Sequence, residues 1–260
     1  MSRIEVQGLW KSYGDRVVLE RVSLVIEPAS LVAIVGSSGC GKSTFLRIIL
    51  GVEQPSRGRI LLDGAPLPAE PGPDRGIVFQ RYTVFPHLSV LENAALGLEL
   101  RASRLLGRSF GARRREAHEQ AAAMLERVGL GHVLEAFPHE LSGGMQQRLA
   151  LAQALVVEPR VLLLDEPFGA LDPGIRADAR ALLLELWEER GTTVVMVTHD
   201  LPEAFQLGTR VLVFDKVRRD PQAPERYGAT VTYDLPGYNR RRPRPPAPAA
   251  SAAAPATGGS

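Results

Sequence analysis

Residues 36–43 read Gly-Ser-Ser-Gly-Cys-Gly-Lys-Ser, which matches the pattern G-x-x-x-x-G-K-[ST]. The segment lies between a continuous apolar run at 31–35 and a stretch of helical character at 44–50. In that setting a glycine-rich loop directs backbone N–H groups at phosphate oxygens, and the following helix adds its positive N-terminal dipole. The segment therefore predicts a phosphate-binding loop on a strand–loop–helix unit.

The side chains of this loop predict the nucleotide and metal that it takes. Lys42 is expected to reach the β- and γ-phosphates of ATP, and Ser43 to be a ligand of Mg²⁺. Cys40 is interpreted as a small filler residue. The predicted nucleotide-binding residues of the loop are Gly36, Ser37, Ser38, Gly39, Cys40, Gly41, Lys42, Ser43 and Thr44.

A second motif supplies two adjacent carboxylates. Residues 161–164 are apolar and are followed directly by Asp165 and Glu166. A buried strand here delivers both acids to its carboxyl end, where ligands of parallel sheets collect. Asp165 is predicted to act on Mg²⁺, directly or through water, and Glu166 to polarise the attacking water.

The order of segments along the chain favours a parallel α/β core. Apolar strands at 161–164 and 193–197 flank an amphipathic helix at 178–189, and further strands are predicted at 4–9, 17–25, 59–62 and 76–80. A mostly helical block at about 88–157 is expected as a lobe inserted into this core. Residues 1–235 are predicted as the ATP-binding domain, and the Pro/Ala/Arg-rich segment 236–260 as a disordered tail.

Composition restricts the class of partner. The formal net charge is +2, and the tail carries four arginines and no acid, so the remaining body has a net charge of −2. A body so close to neutrality offers no basic groove, and no nucleic-acid partner is expected. Since the sequence contains no run of about 18 apolar residues, any work at a membrane is expected to go through partner subunits.

The segment 141–148 reads Leu-Ser-Gly-Gly-Met-Gln-Gln-Arg, with Ser142 placed as a helix N-cap. It resembles the LSGGQ-like signature of the ATP-binding cassette (ABC) family, with Met145 where Gln is commonest. Ser142 lies 23 residues before Asp165, as in that family. The resemblance implies that Ser142 and Gly144 contact the ATP held by a second cassette.

Other elements of the ABC family follow in order over residues 1–215. Tyr13 lies 23 residues before Gly36 and resembles the aromatic residue that stacks on adenine. Gln80 resembles the glutamine that senses Mg²⁺ and the γ-phosphate, as both a metal ligand and a catalytic residue. Asp172 looks like the D-loop aspartate, and His199 like the switch histidine that contacts the γ-phosphate.

The resemblance implies a P-loop (RecA-like) α/β core with a small N-terminal antiparallel β subdomain and an inserted α-helical subdomain. It also implies an ATPase that works as a head-to-tail homodimer, or with a related second cassette. Integral-membrane permease subunits would dock near residues 80–89, and an extracytoplasmic solute-binding protein would take part indirectly. The expected location is the cytoplasmic face of the inner or plasma membrane, as a peripheral subunit.

Residues 85–100 resemble importer ATPases, and within these the nitrate/sulfonate/taurine group is most similar. Two other interpretations stay open: the ATPase subunit of an exporter, and a soluble ABC ATPase with no transport role. Specificity for the transported solute resides in other subunits, so the sequence leaves the solute unassigned.

Overall fold

The computed structural model describes residues 2–79, 84–102, 111–169, 171–218, 220–223 and 225–241. It confirms the predicted fold class, an α/β core with an antiparallel β subdomain and a helical part. The strands are β1 Ile4–Tyr13, β2 Arg16–Ile26, β3 Leu31–Gly36, β4 Arg57–Leu62, β5 Ala65–Pro66, β6 Arg75–Val78, β7 Val161–Asp165, β8 Thr193–Val197, β9 Arg210–Asp215 and β10 Thr230–Pro236. The α-helices are α1 Lys42–Leu50, α2 Val90–Ala102, α3 Ala112–Arg127, α4 Gly143–Val156, α5 Pro173–Arg190 and α6 Leu201–Leu207.

The described strands form two sheets. A four-stranded antiparallel sheet has the order β2-β1-β4-β5. A six-stranded sheet has the order β10-β9-β3-β8-β7-β6, and it is parallel except that β10 runs antiparallel to β9. The carboxyl ends of β3, β7 and β8 therefore meet at one edge of the larger sheet, which places the phosphate loop beside Asp165 and Glu166.

Strand β3 is buried on both faces because its residues alternate between two apolar cores. Leu31, Ala33 and Val35 belong to a core shared with the helical part. Val32 and Ile34 belong to a second core between the sheets, which also holds much of α1. This two-sided burial explains why the strand appears in the sequence as an unbroken apolar run.

Helices α2, α3 and α4 follow β6 and precede β7 in the chain, and they pack on one another. Helix α4 also contacts β6 and α5, so the lobe that these helices form is continuous with the core. In the part of the chain that the structure describes, no helix has the length and apolarity needed to cross a bilayer.

The described chain keeps specific contacts at residues 238 and 239, within the segment 236–260 that is predicted as a disordered tail. The Tyr238 amide donates to the Phe205 carbonyl at 2.7 Å, and the two rings stack with centroids 5.1 Å apart. Asn239 is buried, and its side chain donates to a carbonyl at the end of α6. The boundary differs because one aromatic and one amide side chain find partners on α6, which composition does not reveal.

Candidate functional site

The phosphate loop lies between β3 and α1, with Lys42 as the first residue of the helix. The side chain of Lys42 is almost wholly buried, and its Nζ donates to the carbonyls of Gly36 at 2.8 Å and Ser37 at 3.0 Å. The loop therefore encloses its cation and keeps it at the start of the helix. A buried ammonium with exchangeable carbonyl partners is suited to phosphate oxygens, which are stronger acceptors.

Gly41 is required at the N-cap of α1 for two reasons. Its φ of 96° lies in the left-handed region, which disfavours side chains. A Cβ at this position would also lie 2.7 Å from Val18 Cγ1 and 2.9 Å from Leu19 Cδ2. The loop can thus pack tightly against β2, and no side chain at residue 41 obstructs the first-turn N–H groups of α1.

Ser43 and Asp165 form the candidate Mg²⁺ site. Ser43 Oγ donates to Asp165 Oδ1 at 3.0 Å, which joins α1 to the end of β7. Burial raises the pKa of Asp165, the charge of Glu166 raises it further, and the bond from Ser43 opposes both effects. A hydroxyl and a carboxylate are oxygen donors of the kind that Mg²⁺ takes alongside phosphate and water oxygens, so these two residues fit the ion.

Glu166 and His199 lie side by side at the ends of β7 and β8. Glu166 Oε2 is 3.3 Å from His199 Nδ1, and the Glu166 amide donates to the Val197 carbonyl at 2.9 Å. The φ of Glu166 is 48°, an uncommon value for a residue with a side chain. This backbone conformation directs the carboxylate toward the cavity that lies over the phosphate loop.

That cavity is open, has a volume of about 630 Å³ and brings eight of the predicted residues together. Tyr13, at the end of β1, is half exposed and lines this cavity, as its predicted contact with adenine requires. The lining residues are Tyr13, Arg16, Val18, Ser38, Gly39, Gly41, Lys42, Ser43, Thr44, Arg47, Glu53 and Glu166. Cys40, within the loop, is buried, and its Sγ lies 3.9 Å from Lys42 Nζ.

Four of these residues were not predicted: Arg16, Val18, Arg47 and Glu53. Arg47 could have been found from the sequence, because it lies one helical turn after Ser43 on the same face of α1. Glu53 carries no such signal, since it follows the end of the helix at Gly51 and reaches the cavity only through the fold.

Ser142, Gly144 and Asp172 are not among the described residues that line the cavity. Ser142 is exposed and caps α4, with its Oγ accepting from the Met145 amide at 3.3 Å. Asp172 is exposed at the N-cap of α5. Gln80, the remaining predicted residue, lies outside the described residues.

Gly144 lies where α4 crosses α5, and a Cβ there would come within 2.4 Å of Ile175 Cγ2. We expect Gly144→Ala to lower the free energy of unfolding by about 2 kcal/mol, because overpacking forces the two helices apart. Urea unfolding measures the loss. The double variant Gly144→Ala with Ile175→Ala should recover part of the stability; no recovery would place the strain elsewhere.

Comparison with known proteins identifies the family. A model of the ABC transporter family matches residues 19–169. The sulfate/thiosulfate import ATP-binding protein of Rhodopseudomonas palustris is 44% identical over 217 residues, which are 83% of this chain and 61% of that protein. The Fe(3+) ions import ATP-binding protein of Brucella abortus is 43% identical over 212 residues, or 81% and 58% of the two chains. The chain thus spans about three fifths of the length of these relatives.

These relatives do not support the predicted likeness to the nitrate/sulfonate/taurine group, because their names specify import of sulfate or thiosulfate and of Fe(3+) ions. The motif at 85–100 that suggests that likeness is therefore too general to separate importer groups.

Two solved structures are also similar. The dimeric structure of the bacterial ABC transporter cassette MJ0796 gives a TM-score of 0.73 at 31% identity, covering 90% of this chain and 98% of that one. The same cassette in a post-hydrolysis state with ADP and Pi gives 0.73 at 30% identity, with the same coverage. With the fold, the family match and the curated relatives in agreement, this chain belongs to the ABC transporter family as an ATP-binding cassette.

Proposed function

We propose that this chain binds ATP with Mg²⁺ and hydrolyses it, as the ATP-binding subunit of a solute importer. The observation that carries the proposal is the arrangement at one sheet edge. One cavity is lined by Tyr13 and by the buried Lys42. Beside it lie two pairs of side chains, Ser43 with Asp165 and Glu166 with His199. These groups supply a phosphate cradle, oxygen ligands, a base and an aromatic platform.

In the proposed reaction the phosphates lie on the N-terminus of α1, with Lys42 shared between the β- and γ-phosphates. A water oxygen attacks the γ-phosphorus while the bond to the bridging oxygen of ADP breaks, and Glu166 accepts the proton of that water. His199, next to Glu166, is placed to hold the γ-phosphate. Mg²⁺ held by Ser43 and Asp165 would neutralise charge on the phosphate oxygens.

The separation of Ser142 and Gly144 from the cavity supports a site completed by a second cassette. The exposed Ser142 and the N-terminus of α4 form an anion-binding surface, and no residue of it lines the cavity in the described part of the chain. In a head-to-tail dimer this surface would cover the γ-phosphate held by the other cassette. ATP binding would then close the dimer and hydrolysis would release it. MJ0796, a similar cassette, has been solved as a dimer.

Coupling to permease subunits is proposed through the loop that precedes α2. Phe85 is exposed there, yet its backbone N–H and C=O both bond to the side chain of the buried Asn93, at 2.8 and 3.0 Å. An apolar ring on a rigidly held loop suits docking of a partner helix. Such docking would place the chain at the cytoplasmic face of the membrane, with an extracytoplasmic solute-binding protein acting through the permease.

The direction of transport is proposed as import because both curated relatives are named as import proteins. Their named solutes are an oxyanion in one case and a metal cation in the other. Since cassettes of similar sequence serve such different solutes, the solute is not assigned from this chain.

The importer proposal is tested by purifying the chain with the permease and binding protein encoded beside it, and measuring Mg²⁺-dependent ATP hydrolysis in proteoliposomes. Stimulation by the solute-loaded binding protein is expected. Stimulation by a solute from the cytoplasmic side alone would favour an exporter. Steady hydrolysis without permease association would favour a soluble ATPase.

Lys42→Ala tests the nucleotide site itself. We expect ATP affinity to fall by about 30-fold, since a charge-assisted hydrogen bond contributes about 2 kcal/mol. The backbone carbonyls that accept from Lys42 cannot take over its bond to a phosphate, because they are acceptors themselves. Isothermal titration calorimetry with Mg-ATP measures the change. Lys216→Ala, which removes a lysine that does not line the cavity, should retain wild-type affinity. Equal affinity in Lys42→Ala would contradict the proposed phosphate loop.

A further inference from the structure

A cluster of charged side chains surrounds Tyr13 at one end of the cavity. The Tyr13 hydroxyl donates to a carboxylate oxygen of Glu53. Lys11 Nζ lies over the Tyr13 ring, 4.8 Å from its centroid, and 3.5 Å from the same carboxylate. Arg47 also approaches Glu53, at 3.5 Å. Glu53 is thus the shared partner of the other three side chains.

Two members of the cluster are well enclosed, since the side chains of Lys11 and Glu53 are only 14% and 18% exposed. Burial alone would raise the pKa of Glu53, but the Tyr13 hydroxyl and Lys11 outweigh it and the pKa is lowered. Burial and the neighbouring Glu53 raise the pKa of Tyr13. At neutral pH the carboxylate is therefore charged and the hydroxyl protonated, the states that the hydrogen bond needs.

Glu53 also joins two parts of the fold. Tyr13 belongs to β1 of the antiparallel sheet, whereas Glu53 follows α1, the helix that begins with Lys42. The Glu53 amide bonds to the Arg47 carbonyl in the last turns of that helix. Through Glu53 the aromatic ring is thus held at a defined position relative to the phosphate loop.

We propose that Glu53 is a positioning residue for the nucleotide base: it fixes the Tyr13 ring as a stacking platform before ATP arrives. The inference rests on the proposed ATP-binding function. An aromatic residue that is already immobilised loses little entropy on binding, and a ring that must be ordered by the ligand loses more. Glu53 itself acts through Tyr13 and its other partners, Lys11 and Arg47, and touches no phosphate in this scheme.

The test compares a ligand that carries a nucleotide base with one that carries only the phosphates. For Glu53→Ala we expect Mg-ATP to bind about tenfold more weakly, the effect of releasing one or two side chains. Binding of Mg-tripolyphosphate, which reaches only the phosphate loop, should change less than about twofold. Both are measured by isothermal titration calorimetry. Glu185→Ala, which removes an exposed carboxylate on α5, is the matched control.

Tyr13→Phe supplies the second arm, since it keeps the ring and removes the hydroxyl. It should weaken ATP binding with tripolyphosphate binding kept, and the double variant with Glu53→Ala should lose less than the product of the two single effects. Equal losses for ATP and tripolyphosphate in Glu53→Ala would make Glu53 a structural support of the loop and overturn the inference. If the unaltered chain bound tripolyphosphate and not ATP, the proposed function would fail first, and the inference with it.

Discussion

Glu166→Gln is expected to bind ATP with near-unchanged affinity and to hydrolyse it about 10³-fold more slowly, the size of effect typical of a general base. The substitution keeps the shape of the side chain and removes its ability to accept a proton. Glutamine tolerates the positive φ of residue 166 no worse than glutamate, so the loop beside His199 should keep its structure. Single-turnover hydrolysis and ATP titration separate the two effects.

The same variant reports on dimer closure. Because ATP would persist in the site, Glu166→Gln should sediment as an ATP-dependent dimer in analytical ultracentrifugation, and the unaltered chain should return to monomer as it turns over. Glu185→Gln, an exposed change of the same chemistry, should behave as the unaltered chain. Wild-type hydrolysis in Glu166→Gln would exclude Glu166 as the base that polarises the attacking water.

Much of the fold was predictable because the strands of the core are buried on both sides. The strands at 31–35, 161–164 and 193–197 were predicted within one residue of their observed ends, since a short apolar run bounded by loops is typical of a buried strand. The first strand was less predictable. It continues to Tyr13, past Gly8 and through irregular register with β2, and such bulges interrupt the alternation on which a sequence-based assignment depends.

Some helix ends were predicted closely and others were not. Helix α5 begins at Pro173, five residues before its predicted start, although proline at the first helical position is itself a start signal. The apolar face of the helix becomes regular only later, and the prediction followed that face. The bounds of α1 were closer. Its end at Leu50 agrees with the prediction because Gly51 follows it in a left-handed conformation, and its start at Lys42 lies two residues before the predicted one.

The candidate site was predictable where a motif concentrates its chemistry in consecutive residues, as in the phosphate loop. It was not predictable where contacts join distant elements. The bond from Ser43 to Asp165 spans 122 positions, and that from Tyr13 to Glu53 spans 40. Only the first pair could be inferred, because two motifs of known partnership supply its members.

Contacts between distant elements also hold the chain on either side of His199. Glu203, in α6, is almost fully buried, and its Oε1 accepts from Arg180 Nε at 2.8 Å and Nη2 at 2.6 Å. Its Oε2 accepts from the Thr198 hydroxyl at 2.5 Å, and the Thr198 oxygen accepts from the Asp200 amide at 3.1 Å. The residues on both sides of His199 are thus held by one carboxylate, which is itself tied to α5.

We expect Glu203→Ala to lower the free energy of unfolding by about 3 kcal/mol, because removing one member of a buried pair leaves the other charge without its partner. Arg180 is partly exposed and has Asp200 3.5 Å away, so the loss should lie at the lower end of the range for such pairs. Urea unfolding measures it, with the exposed Glu185→Ala expected to change stability by less than about 0.5 kcal/mol.

The double variant Arg180→Met with Glu203→Leu separates charge pairing from packing. Replacing both members by apolar side chains of similar volume removes the unpaired charge, so it should be more stable than Glu203→Ala. Its ATP hydrolysis should nevertheless be slower than that of the unaltered chain, because Thr198 has lost the carboxylate that holds the strand end next to His199. A double variant that recovered stability and hydrolysis together would show that the pair contributes only packing. Recovery of stability with slow turnover would show that Glu203 also orients His199.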